Sequence, residues 1–146
     1  MTARGRVTAE RTGDRSVTVL AVDDQRTFLR AAARLIAATP GFEQVGEACS
    51  GAEALELAAD LRPDLVLLDV RMPGMNGIET ARRLAGAGST ATIVLMSVED
   101  PLNLALPEDP GGITFIRKQD LSTRTLRELW RARETALKPS ADHLRT

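Results

Sequence analysis

Residues Pro63 to Gly77 read PDLVLLDVRMPGMNG, and this stretch decides the fold. An uninterrupted apolar run, Leu65 to Leu68, stands between Asp64 and Asp69 with no polar face of its own. Such a run predicts a strand covered on both sides, as in a parallel sheet flanked by helices. A loop comes next, marked by Pro73, Gly74 and Gly77, and leads into a helix through Ile78, Ala81 and Leu84.

The same alternation extends in both directions. Upstream, the β-branched run Val17–Val22 ends abruptly at Asp23-Asp24, and Gln25 to Ala38 places Phe28, Leu29, Ala32, Leu35 and Ile36 on one helical face. Pro40-Gly41 stops that helix, and Phe42 to Ala48 forms a second, weaker strand. Ser50-Gly-Ala-Glu53 is a capping box that opens the helix carrying Leu55, Leu57, Ala58 and Leu61, which Pro63 ends. Downstream, Ala91 to Met96 is a fourth strand and Ile113 to Ile116 a fifth. The last helix runs from about Ser122 to Leu137 and buries Leu126, Leu129 and Trp130. Strands alternating with helices imply right-handed crossovers and one parallel sheet with helices on both faces.

Composition agrees with one soluble domain over residues 17–138, between a flexible leader (1–16) and a flexible tail (139–146). The 146 residues are 43% hydrophobic and 27% charged, a globular balance. No apolar run is long enough to span a bilayer, and the arginine-bearing N-terminus has no apolar signal core. The lone Cys49 has no internal disulfide partner and reads as buried filler in a reducing cytoplasm. Charge is unevenly placed: net −1 for the chain, but +2 over residues 1–16 and +4 over 117–146, which leaves −7 in the middle. The basic end reads as the solvated face of the last helix rather than a nucleic-acid surface, since little aromatic interleaving accompanies it.

The acidic middle is explained by the strand ends. Asp23 and Asp24 follow the first strand, Asp69 ends the third, Ser97 follows the fourth and Lys118 comes soon after the fifth. In an open α/β sheet this edge is where ligands bind. Taken singly, each residue suits a cap, a turn or a solvated surface; together, at the ends of four strands, they form a site. Two carboxylates at ~4 Å repel by about 1 kcal/mol in water and about 4 kcal/mol at an effective dielectric near 20. A hard divalent cation, Mg²⁺, relieves this and leaves positions for water and phosphate. An ionised aspartate can then attack phosphorus, with a lysine and a hydroxyl supporting the transferring group.

At this point the sequence resembles the response-regulator receiver family over about residues 17–137. The resemblance rests on Asp23-Asp24, on Leu67 to Gly77 around the acceptor, on Ser97, and on Lys118 after Phe115. It implies a flavodoxin-like doubly wound five-stranded sheet of order 2-1-3-4-5. It implies Asp69 as phosphoacceptor, and Mg²⁺ held by Asp24, Asp69 and the Arg71 carbonyl, with Asp23 joining through water. Ser97 and Lys118 would contact the phosphoryl oxygens, and Ser97 with Phe115 would form the switch. Arg71, Val98 and Glu99 occupy rate-tuning positions, and Arg71 and Glu99 can pair with each other. The implied partners are a histidine kinase or phosphotransfer protein as donor, an output protein, and a second copy of the chain as a dimer partner. Direct nucleic-acid or membrane binding and enzymatic turnover of other molecules are not expected. The wording is closest to receivers of LuxR-type helix-turn-helix regulators, here expected without the DNA-binding domain.

Two departures stand out. Val98 follows Ser97 where the family usually has alanine or glycine, and a β-branched side chain there predicts slow exchange at the site. Pro101, Pro107, Pro110 and Gly111-Gly112 predict a degenerate fourth helix, short or irregular and mobile over Leu102–Glu108. The competing reading is a phosphorylation-independent interaction module. An aspartyl-phosphate phosphatase would need an acid where Arg71 stands, and His143 in the polar tail is no phosphodonor.

Overall fold

The computed structural model describes residues 15–100 and 113–137, with side chains as far as Arg133. In chain order the elements are β1 (Val17–Val22), α1 (Arg26–Ala37), β2 (Phe42–Ala48), α2 (Gly51–Leu61), β3 (Leu65–Asp69), α3 (Gly77–Gly86), β4 (Thr92–Ser97), β5 (Ile113–Arg117) and α4 (Thr123–Leu137), with a 3₁₀ turn over Lys118–Asp120. All five strands are parallel, in the order β2-β1-β3-β4-β5. This is the flavodoxin-like order that the family resemblance implied.

Both faces of the sheet are covered, because the apolar strands supply side chains to each in alternation. Leu20, Val66, Leu68 and Leu95 face α2 and α3, where they pack with Ala54, Ala58, Ile78, Ala81 and Leu84. Val19, Leu65, Leu67, Val94 and Met96 face the other way and pack with Ile36 of α1 and Leu126 of α4. Every residue from Leu65 to Leu68 is fully buried, and each such side chain contributes roughly 1.5–3 kcal/mol. β3 is therefore the central beam, paired with β1 on one side and β4 on the other.

Local signals act where the sequence placed them. The Ser50 hydroxyl accepts from the Glu53 N–H at 3.1 Å, and the Glu53 carboxylate reaches back to the Cys49 N–H at 2.8 Å. α2 ends on Arg62, held at φ 47° directly before Pro63, since proline disfavours the right-handed helical region in its predecessor. Trp130 packs, partly buried, against the α1/α4 side of the core as expected. Cys49 is only half-buried, not interior filler: it follows the last residue of β2, where the chain turns out toward α2. The proline-rich segment expected to carry the degenerate fourth helix (101–112) lies outside the described residues. So do residues 1–14 of the leader and the tail with His143.

Candidate functional site

The order β1-β3-β4-β5 brings the carboxyl ends of four strands to one edge. β1 hands over to Asp23, whose N–H extends the ladder to the Ala48 carbonyl at 3.0 Å. The two members of the acidic pair have different surroundings: Asp23 is fully buried and Asp24 is exposed. Asp23 Oδ1 accepts from the Gln25 N–H at 2.9 Å, which fixes the turn into α1. Asp69, the last residue of β3, is 4% exposed. The loop after it is tied down by Val70 N–H to Met96 O at 2.8 Å and Gly77 N–H to Val70 O at 2.9 Å. Only glycine fits at Gly77, because a Cβ there would overlap the Asp69 carbonyl oxygen.

Asp23, Asp24 and Asp69 each offer a carboxylate oxygen, and these oxygens lie within 4.8 Å of one another. Lys118, on the first residue after β5, brings the counter-charge. Its Nζ is 2.6 Å from Asp23 Oδ2 and 3.5 Å from Asp69 Oδ1, and the side chain is only 12% exposed. The shorter contact is a close ion pair between a fully buried carboxylate and a nearly buried ammonium. On its remaining side the ammonium sits over the ring of Phe28, 4.5 Å from the centroid. Ser97 is buried at the end of β4, beside the β3 end, and its hydroxyl accepts from the Glu99 N–H at 3.0 Å.

Burial and then the charge of Asp23 push the Asp69 carboxyl up to about 6, against the opposing pull of Lys118 and the Arg71 N–H. The pocket thus holds more negative charge than it neutralises. The donor set is all carboxylate oxygen, gathered from three aspartates, which fits a small hard dication such as Mg²⁺. Of the expected ligands, Asp23, Asp24 and Asp69 are brought together. Arg71 contributes its N–H to Asp69 Oδ1 at 3.4 Å.

Arg71, Val98 and Glu99, the positions expected to tune rates, lie close after Asp69 and Ser97 in the chain. Arg71 Nε and Nη2 both donate to Glu99 Oε1, at 3.0 and 2.7 Å, the pair expected from the sequence. Val98 is 68% exposed beside them. Phe115 lies mid-strand on β5, half-buried against the α2/α3 side of the core. Sequence reasoning assigned Phe28 to the core face of α1 and missed its contact with Lys118. A signal was available: Phe28 is the first large apolar residue of a helix that starts at the carboxyl end of β1.

Residues 19–128 match the family described as response regulator receiver domain. Nitrate/nitrite response regulator protein NarL of Escherichia coli is 42% identical over 83 residues, 57% of this chain and 38% of that protein. Response regulator GacA of Pseudomonas aeruginosa is 39% identical over 104 residues, 70% of this chain and 48% of that protein. The chain thus spans less than half the length of these curated relatives. The response regulator domain of Thermotoga maritima CheB superposes with a TM-score of 0.67 at 28% identity, covering 82% of this chain and 98% of that one. A LuxR-family two-component response regulator from an Aurantimonas species gives 0.71 at 27% identity, covering 80% and 84%.

Proposed function

The chain belongs to the response regulator receiver domain family of two-component systems, and from that premise we propose that Asp69 accepts a phosphoryl group from a partner histidine kinase or phosphotransfer protein. The observation that carries this reading is the buried Asp69 carboxylate facing Lys118 at 3.5 Å inside a cluster of three aspartates. One Asp69 oxygen forms the new O–P bond while the donor's P–N bond breaks, and the electron pair leaves with the histidine nitrogen. Lys118 offsets the charge on the phosphoryl oxygens, and the Ser97 hydroxyl, whose oxygen accepts from the Glu99 N–H, donates its proton to one of them. Asp24, Asp69 and the Arg71 carbonyl, with Asp23 joining through water, would hold Mg²⁺, which supplies charge neutralisation of the transferring group.

The Ser97 loop and Phe115 are the element whose populations shift on phosphorylation, and an output protein or a second copy of the chain reads that shift. The domain turns over no substrate beyond its own phosphorylation and dephosphorylation. Val98 and the Arg71–Glu99 pair, close after Asp69 and Ser97 in the chain, set how fast donor and water reach Asp69. Among the described residues no helix is long and apolar enough to cross a membrane, and the reading places the domain in the cytoplasm with its kinase.

Intact mass after incubation with Mg²⁺ and phosphoramidate tests the proposal. Wild type gains one phosphoryl group; Asp69→Asn gains none, and neither does wild type in excess EDTA. No gain by wild type at saturating donor overturns the acceptor role and favours the interaction-module reading.

A further inference from the structure

Among the described residues, the Lys118 ammonium meets two carboxylates and, as a third neighbour, an aromatic ring. Asp23 is a buried carboxylate at 2.6 Å, anchored by the Gln25 N–H, and Asp69 lies farther away at 3.5 Å. These two alone would draw the flexible lysine toward Asp23 and away from the acceptor. The third neighbour is the face of the Phe28 ring, 4.5 Å from Nζ at its centroid, well inside the range of a cation–π attraction. Lys118 is 12% exposed, and such an attraction strengthens when the cation is desolvated.

The ring differs from a carboxylate in ways that suit a moving lysine. It does not titrate, accepts no directed hydrogen bond and offers a broad negative face, so the ammonium can slide over it without losing the contact. Resting on the acceptor reading of Asp69, we propose that Phe28 is a positioning residue. Its ring holds the Lys118 ammonium between Asp23 and Asp69, and keeps hold of it as it moves onto the phosphoryl oxygens.

Three replacements at position 28 separate this role from plain packing. Phe28→Leu keeps an apolar side chain without a ring, and Phe28→Tyr keeps the ring. Site-specific pentafluorophenylalanine keeps the shape and reverses the ring's electrostatics, so it serves even where Phe28→Leu fails to fold. Two readouts are taken: the NMR shifts of the Lys118 ε-methylene protons without donor, and the initial rate of phosphorylation by phosphoramidate with Mg²⁺. Ring-current shielding of the ε-methylene protons should persist in Phe28→Tyr and vanish in Phe28→Leu. The rate should fall about three- to thirty-fold in Phe28→Leu and in the fluorinated protein, and stay near wild type in Phe28→Tyr. Wild-type rates in the fluorinated protein, or equal losses in Tyr and Leu, would overturn the proposal. If wild type itself accepts no phosphoryl group, the acceptor reading and any role of Phe28 in transfer both fail. The ε-methylene shifts then still decide whether the ring holds Lys118.

Discussion

β3 has an aspartate at either end, and the two live in opposite electrostatic worlds. Asp64, just before the strand, accepts from the Thr18 N–H at 2.9 Å, from the Thr18 hydroxyl at 3.1 Å and from the Arg15 guanidinium at 3.0 and 3.2 Å. Burial works to raise its carboxyl, but these donors outweigh it and hold the group below the usual carboxylate range. Asp69, at the other end, has an ammonium at 3.5 Å, a long contact to the Arg71 N–H at 3.4 Å and a buried anion for a neighbour. One carboxylate spends its lone pairs on the fold and ties β1 to β3. The other keeps acceptor capacity unspent, and that unspent capacity is what a cation and a phosphoryl group can use.

The most disruptive way to test the contrast is to remove the counter-charge from the second site. Lys118→Met leaves Asp23 buried and unpaired, and should destabilise the metal-free protein by about 3–5 kcal/mol in urea unfolding. Mg²⁺ should restore part of that loss. Equal loss with and without Mg²⁺ would mean that the aspartates do not share a cation.

The next effect is in pH. An Asp69 carboxyl raised to about 6 from 3.8 makes the unfolded chain release its proton first. Its contribution to stability is therefore fully present below pH ~4, falls as pH rises toward ~6 and stays lost above. Asp69→Asn should remove this dependence and leave the metal-free protein about 1–3 kcal/mol more stable than wild type at pH 7.5, with no gain at pH 3.5. Urea unfolding at the two pH values reads this difference directly. At the other end of β3 the sign reverses, and Asp64→Asn should cost about 1–2 kcal/mol at pH 7.5. Phosphorylation of Asp69 should be unaffected. If Asp64→Asn slows phosphorylation, the two ends of the strand are not independent.

The smallest stability effect belongs to the positions close after Asp69 and Ser97. The Arg71–Glu99 pair is largely exposed, so Glu99→Gln should change stability by less than ~1 kcal/mol. It and Val98→Ala should instead alter the rates at which Asp69 gains and loses its phosphoryl group. Unchanged rates in both variants would remove these positions from the account of kinetics.

Much of this was legible along the chain. The limits of β3 follow from an apolar run closed by Pro63 and the Pro73–Gly77 loop, and the start of α2 from Ser50 and Glu53. Asp69, Ser97 and Lys118 were found because a polar residue after each apolar strand lands on one sheet edge whatever the loops do. The Arg71–Glu99 pair was also anticipated, since both flank that edge. Other contacts could not be read this way. Nothing near Asp64 in sequence says that Thr18 and Arg15 will meet it, and the place of Phe28 at the start of α1 sets it near the edge without naming Lys118 as its neighbour.

By itself, then, the order of apolar and polar residues determined the five strands, their wrapping by helices and the residues gathered at the carboxyl edge. These depend on periodicity and turn chemistry, which act over a few neighbours. Only the tertiary structure decided that Asp23 is buried while Asp24 is not, that Asp64 is satisfied while Asp69 is left short of donors, and that Lys118 rests on an aromatic ring. Solvation is the reason: a carboxylate's character is set by the donors and charges that surround it in space. Those arrive from strands and helices far away along the chain.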